Sequence, residues 1–170
     1  MVIPKNKTMF FSGRCKKITE GNAMKIIAHR GLLNGKDEQL ENRPGTIKKA
    51  LEAGFDVEVD VWYVDGLFFL GHDAPTDILP DWLLEDKRAW FHAKNTEALK
   101  EMLSLDKRVF YHTEETVVLT SRGDMWCYPG KTIAGGYCVL PELGWEPNNL
   151  IPEGVLGVCT NYPFKYLESK

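Results

Sequence analysis

The chain has 170 residues, 44% of them hydrophobic and 26% charged, which is enough apolar material for one globular domain with a buried core. Its formal net charge of -3 supplies no broad positive field, so binding to nucleic acid or to an anionic membrane surface is not expected. The longest apolar stretches, such as residues 67–70 and 135–140, are far shorter than the roughly 20 residues that a membrane-spanning helix needs.

Residues 1–23 differ from the rest of the chain because their hydrophobic residues follow no regular period. They also lack the apolar core of about 7 to 15 residues that a secretory signal contains. We therefore expect a cytoplasmic protein in which residues 24–170 form a single domain. Residues 1–23 are interpreted as an N-terminal arm, or as an extension upstream of a natural start at Met24.

The first predicted elements alternate between strand and helix. A buried-strand pattern covers residues 24–28, and a helix is predicted from Pro44 to Gly54, because proline suits a first helical turn and glycine suits a helix end. A second strand covers residues 55–62. It turns back at Asp65-Gly66, a strong hairpin signal, into a third strand at residues 67–70.

The later part of the chain contains two amphipathic helices, at residues 81–85 and 97–105, and then mainly short strands. The order of strand and helix predicts an α/β fold with a mainly parallel sheet, in which helices become rare after residue 115. The remaining predicted strands lie at residues 90–91, 109–111, 117–119, 125–128, 137–140 and 155–160.

All four histidines directly follow a short apolar run, which places each one at the carboxyl end of a predicted strand. Functional groups collect at this edge in parallel α/β sheets. One histidine in such a place can equally be a hydrogen-bonded structural side chain, but four in equivalent places favour a common site. They are His29, His72, His92 and His112.

Three carboxylates alternate with three valines in residues 56–61, so strand geometry puts the carboxylates on one face and the valines on the other. The acidic face either lies on the solvated outside of an edge strand or is gathered where a cation offsets its charge. In the second case Glu58 and Asp60 are candidate ligands for a hard divalent cation, because Mg²⁺ and Ca²⁺ favour oxygen.

Five short motifs together resemble, in order and spacing, the signature of glycerophosphodiester phosphodiesterases. Each motif is weak alone, whereas the ordered set is fairly specific. The motifs are Ile27-Ala28-His29-Arg30-Gly31, Glu41-Asn42, Gly54-Phe55-Asp56-Val57-Glu58-Val59-Asp60-Val61, Asp65-Gly66 and His72-Asp73. Farther along, Phe91-His92-Ala93-Lys94 and Thr160-Asn161-Tyr162-Pro163 are similar to two other strand ends of that family.

The resemblance implies a TIM-type barrel and metal-dependent hydrolysis of a small phosphodiester of the glycerophosphodiester type. Displacement at phosphorus needs a base, an acid and cations that offset the charge developing on the phosphate oxygens. The residues that the resemblance assigns to these tasks are His29 and His72 as general acid and base, Arg30 and Lys94 as phosphate-binding residues, and Glu58, Asp60 and His92 as metal ligands.

Two departures from the family pattern modify these expectations. His92 stands where the family has a third carboxylate, which favours Mg²⁺, Mn²⁺ or a softer ion over Ca²⁺; Mg²⁺ is the expected cofactor, with Ca²⁺ and Mn²⁺ as alternatives. Residues 24–170 are also too few for a full (β/α)₈ barrel, which typically takes about 250 residues. We therefore expect a shortened or irregular (β/α) barrel whose second half has helices reduced to loops.

Two other functions stay open at this stage. A degenerate barrel could bind a phosphorylated ligand without turning it over, although a pure binder has no need of both His29 and His72. The chain could also be a hydrolase or lyase for another phosphoryl substrate, such as a polymer-linked glycerol phosphate. The sequence does not decide between attack by water and attack by a substrate hydroxyl, and it gives no oligomeric state.

A few residues near these motifs receive weaker interpretations. Glu41 is expected to orient Arg30, with capping of the following helix as the alternative. Residues 128–130 and 141–142 are interpreted as turns rather than as pocket walls, because proline and glycine favour turns. His112 and Glu114 are a candidate pair beside the site, without a catalytic or metal-binding assignment.

Overall fold

The computed structural model of the chain describes residues 24–131, 133–144 and 153–167. The predicted arm at residues 1–23 lies outside these ranges. Within them are ten strands, three α-helices and two 3₁₀ turns. The strands are β1 (Lys25–His29), β2 (Asp56–Val64), β3 (Leu67–Leu70), β4 (Asp77–Ile78), β5 (Ala89–Ala93), β6 (Val109–Phe110), β7 (Val117–Leu119), β8 (Met125–Cys127), β9 (Gly136–Val139) and β10 (Gly157–Thr160). The helices are α1 (Pro44–Glu52), α2 (Asp81–Leu84) and α3 (Thr96–Ser104), and the 3₁₀ turns are Pro141–Leu143 and Pro163–Tyr166.

The local signals in the first half of the chain form the predicted elements. Helix α1 begins at Pro44 and buries Ile47, Ala50 and Leu51, as predicted. The hairpin between β2 and β3 is also confirmed, because Asp65-Gly66 connects the two antiparallel strands. Both turn residues have positive φ angles, 49° and 82°, as the favoured two-residue hairpin turn requires.

One mixed sheet contains all the described strands. Seven of them form a parallel series in the order β6-β5-β2-β1-β10-β9-β8. Three antiparallel strands extend it: β3 pairs with β2, β4 pairs with β3, and β7 pairs with β8. Strand β2 is nine residues long and pairs with three neighbours, so it is the central support of the sheet.

The sheet is curled. Trp90 of β5 and Tyr137 of β9 are four strands apart in the sheet order, which would separate them by about 19 Å if the sheet were flat. Their ring centroids are instead only 4.7 Å apart. An aromatic cluster therefore fills the concave side of the curl. Its members are Ile27, Trp90, Phe110, Trp126, Tyr137, Val139 and Cys159.

The other face of the sheet carries the larger apolar core. Val57, Val59 and Val61 of β2 are fully buried there, and helices α1 and α3 contact the same strand. Because side chains alternate between the two faces of β2, its valines pack against the helices and its carboxylates lie on the concave side. This arrangement is what positions the candidate site.

The expected TIM-type barrel, even in shortened form, is wrong. Only three α-helices occur in the described residues, with nine, four and nine residues, and the alternation of strand and helix ends after β6. The physical reason is the short connections: β7 and β8 are joined by the hairpin at residues 120–124, whereas a parallel crossover needs a dozen or more residues. A curled mixed sheet results.

None of the described helices is both long enough and apolar enough to cross a membrane; the longest have nine residues.

Candidate metal centre and active site

The acidic face of β2 is buried. Glu58 is 3% exposed and Asp60 is fully buried, so the alternative of a solvated edge strand is wrong. Asp56, at the beginning of the strand, is neutralised separately: its Oδ2 lies 2.9 Å from Lys25 Nζ and accepts a hydrogen bond of 2.9 Å from Trp90 Nε1. Glu58 and Asp60 are therefore left as a buried pair of acids toward the carboxyl end of the strand.

His92 of β5 completes a three-residue group with these acids. It is the Cα partner of Asp60 in the parallel ladder, and its Nδ1 lies 2.9 Å from Asp60 Oδ1 and 3.8 Å from Glu58 Oε1. One potential ligand atom from each of the three residues lies within 4.8 Å of the others. Glu58, Asp60 and His92 could therefore hold a metal ion, and these three residues are called the metal group below.

Asp60 is held as an anion. Asn42 Nδ2 donates a hydrogen bond of 2.9 Å to its Oδ2, Arg30 Nε lies 3.0 Å from the same oxygen, and Lys94 Nζ lies 3.6 Å from Oδ1. Burial alone would raise the pKa of Asp60, but the contact with His92 and the nearby positive charges outweigh burial and lower the pKa. Asp60 Oδ1 is buried, and its polar neighbours include His92 Nδ1 at 2.9 Å and Lys94 Nζ at 3.6 Å.

The pKa of Glu58 is shifted in the opposite direction from that of Asp60. Burial, and then repulsion by Asp60, raise the pKa of Glu58 to about 8. The backbone N–H of Arg30 donates a hydrogen bond of 3.2 Å to Glu58 Oε2, and His29 Nε2 lies 3.9 Å from that oxygen. Without a cation the pair therefore favours one ionised acid and one protonated acid, and a bound cation would favour ionisation of both.

His29 lies at the end of β1, where its ring is fixed by Asn161. The distance from His29 Nδ1 to Asn161 Oδ1 is 2.9 Å. An amide oxygen can only accept, so Nδ1 carries the proton and Nε2 keeps its lone pair. Burial, and then the charge of Arg30, lower the pKa of His29 to about 4. His29 is therefore neutral at pH 7, as a general base must be.

Asn161 is itself held by Glu142. The Asn161 backbone N–H donates a hydrogen bond of 3.0 Å to Glu142 Oε1, and Thr160 Oγ1 donates one of 3.0 Å to Glu142 Oε2. The carboxylate thus ties the 3₁₀ turn after β9 to the end of β10. This link fixes the amide that orients His29.

His72 lies just beyond β3 and is more accessible than the other predicted site residues. Its side chain is 35% exposed, and its Nδ1 lies 2.7 Å from Asp73 Oδ1. Because Nδ1 faces Asp73, Nε2 is the ring nitrogen that is free to meet a substrate.

Arg30 connects the metal group to the loop before α1. Its Nη1 donates hydrogen bonds of 2.9 Å to both carboxylate oxygens of Glu41, and its Nε pairs with Asp60. Glu41 therefore orients Arg30 as the sequence suggested. Arg30 has a φ angle of 52°, a left-handed conformation that turns the chain sharply after His29 and allows its N–H to reach Glu58.

A cavity of about 230 Å³ brings most of the predicted site residues together. Asp60 lies beneath it, fully buried, rather than in its wall. The cavity wall contains the predicted site residues His29, Arg30, Glu58, His72, His92 and Lys94, together with residues that include His112, Thr113, Tyr128 and Pro129.

His112, which the sequence offered only as a partner of Glu114 beside the site, lies against the metal group. Its ring is parallel to that of His92 with centroids 4.6 Å apart, and the Phe110 ring lies 4.9 Å from His92 and 5.9 Å from His112. His112 Nδ1 is buried and has no hydrogen-bond partner among the described residues. Burial, and then the charge of His92, lower the pKa of His112 to about 4, so its ring is a neutral part of the cavity wall.

A second and larger cavity, of about 860 Å³, adjoins the first. His29, Arg30, His72 and Leu140 line both cavities. The larger cavity continues from this common wall along the loop before α1, past the turn after β3 and past the 3₁₀ turn after β9. His29 and His72 thus lie at the boundary between the small cavity and the large one.

Four residues contact the candidate site residues in ways that the sequence did not predict. Asn42 and Asn161 belong to the family-like motifs of the sequence. Only the folded structure shows that Asn42 hydrogen-bonds Asp60 and that Asn161 hydrogen-bonds His29. Glu142, interpreted as part of a turn, anchors Asn161, and His112 follows its strand like the other histidines. That shared position had already indicated a common site for the four histidines, but it did not show that His112 stacks on His92.

Comparisons with protein-family models, with curated proteins and with solved structures found no match for this chain.

Proposed function

We propose that this chain is a metal-dependent phosphodiesterase that hydrolyses a small phosphodiester of the glycerophosphodiester type, releasing a phosphomonoester and an alcohol. The main support is one cavity whose wall contains Glu58, His92, two further histidines and two cationic side chains, with the buried Asp60 at 2.9 Å from His92. A phosphodiester needs this combination, because its reaction requires charge neutralisation together with two proton transfers. The motif resemblance to glycerophosphodiester phosphodiesterases supports the same proposal.

The proposed role of the metal ion is to stabilise negative charge on the phosphate. A divalent ion held by Glu58, Asp60 and His92 would polarise a phosphate oxygen and offset the charge that develops there. We propose Mg²⁺ or Mn²⁺, because two carboxylate oxygens suit hard cations while the imidazole nitrogen makes the site less suited to Ca²⁺. Arg30 and Lys94, which line the same cavity, supply the remaining positive charge to the phosphate.

His29 is proposed as the general base. Its neutral state and the free lone pair on Nε2 allow it to accept a proton from the attacking hydroxyl or water. Asn161 keeps the ring in the required tautomer. The attacking group is either water or a hydroxyl of the substrate, and a cyclic phosphate would appear only in the second case.

His72 is proposed as the general acid that protonates the leaving alkoxide. It lies in the wall shared by the two cavities, so it can reach a phosphodiester that spans them. Asp73 Oδ1, at 2.7 Å from Nδ1, can hold the ring with Nε2 toward the substrate. The exposed position also allows His72 to regain a proton from solvent after each turnover.

The proposal can be tested with two diesters that differ only in their leaving group. One carries p-nitrophenolate, which leaves without protonation, and the other carries an aliphatic alkoxide, which needs an acid. Hydrolysis of both is measured with Mg²⁺, Mn²⁺ or Ca²⁺ after removal of bound metal with EDTA. We expect His29→Ala to slow both reactions about 10²–10⁴-fold, and His72→Ala to slow mainly the alkoxide reaction.

Glu58→Gln tests the metal requirement, with Glu52→Gln as its matched control because Glu52 is exposed on α1. We expect Glu58→Gln to abolish the metal-dependent activity and Glu52→Gln to retain it. Hydrolysis that needs no metal, or that survives His29→Ala, would contradict the proposal. Binding of phosphomonoesters without any turnover would instead support the degenerate binder, and activity confined to polymeric phosphodiesters would support the other alternative.

A further inference from the structure

One face of the three antiparallel strands β2, β3 and β4 is apolar and only partly covered. Directly paired residues of antiparallel strands point to the same face, so the register places five apolar side chains side by side. They are called the apolar strip below, and they are Trp62 and Val64 of β2, Leu67 and Phe69 of β3, and Ile78 of β4. Val64, Leu67 and Ile78 are 38%, 51% and 60% exposed, and the other two are partly exposed. A contiguous exposed apolar face of this kind marks an interaction site.

The apolar strip lies next to the candidate active site. Trp62 follows Asp60 by two residues, so both side chains lie on the same face of β2. Trp62 Nε1 donates a hydrogen bond of 2.7 Å to the carbonyl oxygen of Gly71, the residue before His72. A chain segment that covers the strip therefore lies beside the loop that carries the proposed general acid.

The surroundings of the apolar strip are acidic. Residues 61–85, which contain all five members of the strip, include five acids and no lysine or arginine. Asp77 is paired with Arg43, and Glu85 is paired with Lys107. The other three acids are exposed and form no ion pair with a lysine or arginine in the part of the chain that the structure describes; they are Asp65, Asp73 and Asp81.

This charge determines which partner suits the apolar strip. An anionic membrane surface is repelled by the acids, and a second copy of the domain would bring two acidic surroundings together. A partner that is both apolar and positively charged is attracted by the acids and can also cover the apolar side chains.

Residues 1–23 have the composition that the apolar strip requires. They contain five of the 21 basic residues of the chain and one of its 24 acids, so their formal net charge is +4. Residues 24–170 are left with 16 basic and 23 acidic residues, a formal net charge of -7. Within the basic segment, Met9, Phe10 and Phe11 are three consecutive apolar residues with basic residues on both sides. The segment is thus complementary to the strip in both polarity and charge.

The segment is also long enough to reach the apolar strip. Lys25 and Val64 are about ten residue steps apart along the paired strands β1 and β2, which corresponds to about 33 Å. The 12 residues between Phe11 and Met24 span about 40 Å when they are extended. Tethering keeps such a segment at an effective concentration on the order of millimolar, so a contact too weak to hold a free peptide is sufficient.

We propose that residues 1–23 bind the apolar strip of the same chain, with Phe10 and Phe11 against the strip and the basic residues beside the exposed acids. Burial of the apolar side chains supplies the affinity, and the opposite charges select the position. The bound segment lies along the side of the candidate active site, next to the loop of His72. This binding does not depend on the proposed phosphodiesterase function, so the two proposals can fail separately.

The test uses the full chain and its natural cysteine in the basic segment. A maleimide nitroxide is attached under native conditions. The reagent is directed to Cys15, because buried thiols are unreactive and the other three cysteines are buried; these are Cys127, Cys138 and Cys159. Mass spectrometry of the digested protein verifies the position of the nitroxide.

The nitroxide broadens the NMR signals of backbone amides that lie near it, and the same sample with the nitroxide reduced is the reference. We expect loss of intensity for the amides of residues 62–69 and Ile78. The amides of residues 117–119, in the exposed edge strand β7, should keep their intensity.

Matched variants identify the contact. Leu67→Ser removes an exposed member of the apolar strip, whereas Leu119→Ser removes a leucine of β7 that is also exposed. We expect Leu67→Ser to restore the intensity of residues 62–69 and Leu119→Ser to leave the loss unchanged. The double variant Phe10→Ser and Phe11→Ser should restore the intensity as well. The dispersion of the remaining amide signals reports that each variant is folded.

Three results would overturn the proposal. The first is a loss of intensity confined to residues near Lys25, or equal in the apolar strip and in β7, because the segment would then not bind the strip. The second is an equal effect of Leu67→Ser and Leu119→Ser. The third comes from a mixture of nitroxide-bearing protein and isotope-labelled protein without nitroxide. An undiminished loss at the strip in this mixture would show that the segment of a second copy occupies it.

Discussion

Asp60 and His92 are Cα partners on two neighbouring parallel strands, and Asp60 Oδ1 lies 2.9 Å from His92 Nδ1. Backbone register thus fixes a carboxylate and an imidazole side by side, and Glu58, two residues before Asp60, adds its carboxylate on the same face. A metal group built on two central strands is held rigidly. The chemical nature of its third member should therefore decide which ion it prefers.

The first prediction concerns metal selectivity. Replacing the imidazole by a carboxylate in His92→Glu makes the group all-oxygen and more negative, which favours Ca²⁺ relative to Mn²⁺. We expect the ratio of the Ca²⁺ and Mn²⁺ dissociation constants to change by about tenfold or more in favour of Ca²⁺. Isothermal titration calorimetry with each ion measures the ratio directly.

His112→Phe is the matched control for this change. It keeps an aromatic ring stacked on His92 but removes the nitrogens of the neighbouring side chain. We expect the control to leave the Ca²⁺ to Mn²⁺ ratio within about threefold of the original. A ratio that moves equally in both variants would show that packing around His92, rather than its ligand atom, sets the selectivity.

The second prediction concerns stability in the metal-free protein. The pKa of Glu58 is raised from its ordinary value of 4.5 to about 8, so the folded state holds a proton that the unfolded state has already lost above pH 4.5. This contribution is fully present below pH 4.5 and is lost as the pH rises toward 8. Its slope is about 1.4 kcal/mol per pH unit for one proton.

His29, which is buried, and His112, which is half-buried, give stability the opposite dependence on pH. The pKa values of His29 and His112 are lowered from 6.5 to about 4, so between pH 6.5 and 4 the unfolded state binds two protons that the folded state does not. Stability due to these residues is present above pH 6.5 and is lost on acidification. Together with Glu58 they place the maximum of metal-free stability near pH 6.5.

Urea denaturation at a series of pH values in EDTA measures this maximum. Glu58→Gln should remove the decline between pH 6.5 and 8, because the amide does not ionise. Mn²⁺ should also remove the decline in the unaltered protein, since the cation favours the ionised carboxylate. A metal-free stability that keeps rising from pH 6.5 to 8 would contradict the assignment to Glu58.

The candidate site was more predictable from the sequence than the fold was. The alternation of acids and valines in β2 is a local property, so it indicated which residues share a face before any tertiary structure was known. The apolar run before each histidine likewise placed His29 and His92 at strand ends. Both signals depend only on nearest neighbours along the chain.

The fold depends on contacts between distant residues. The curl of the sheet brings Trp90 and Tyr137 together, and nothing in either local sequence indicates that approach. The residues between β7 and β8 are rich in turn formers, which is consistent with a short connection. The barrel was nevertheless predicted because the motifs resemble those of a barrel family, and the antiparallel pairing of β7 with β8 contradicts it. The hydrogen bond between His29 and Asn161 spans 132 residues and could not be seen from spacing alone.

The third prediction tests Asn161 as a positioning residue for His29. Without its amide oxygen the imidazole loses the partner that fixes the proton on Nδ1. We expect Asn161→Ala to lower kcat about 10–100-fold, the usual effect of removing such a partner, with a much smaller change in KM. Asn34→Ala, at an exposed asparagine, is the matched control and should retain full kcat.

Asn161→Asp separates positioning from simple packing. The carboxylate also accepts a proton from Nδ1, but its negative charge favours the imidazolium form of His29. We expect partial rescue of kcat and a shift of the acidic limb of the pH–rate profile to higher pH. A purely structural role for Asn161 would leave the position of that limb unchanged in both variants.

The last prediction concerns Asn42, which makes two hydrogen bonds with Asp60. Its Nδ2 donates to Asp60 Oδ2 at 2.9 Å, and its Oδ1 accepts from the Asp60 backbone N–H at 3.0 Å. Asn42 has a φ angle of 57°, a conformation that glycine adopts without strain. Asn42→Gly thus removes both hydrogen bonds while preserving the backbone, and we expect a loss of about 2–4 kcal/mol in the free energy of unfolding in EDTA.

Asp65→Gly is the control for the entropy that glycine adds to the unfolded chain. Asp65 has a φ angle of 49° in an exposed hairpin turn, so its replacement should cost less than about 1 kcal/mol. Mn²⁺ should recover part of the stability of Asn42→Gly, because a cation can offset the charge of Asp60 when the amide is gone. Equal losses in the two variants would show that Asp60 does not depend on Asn42, and that the remaining contacts with Arg30, Lys94 and His92 are sufficient to hold it as an anion.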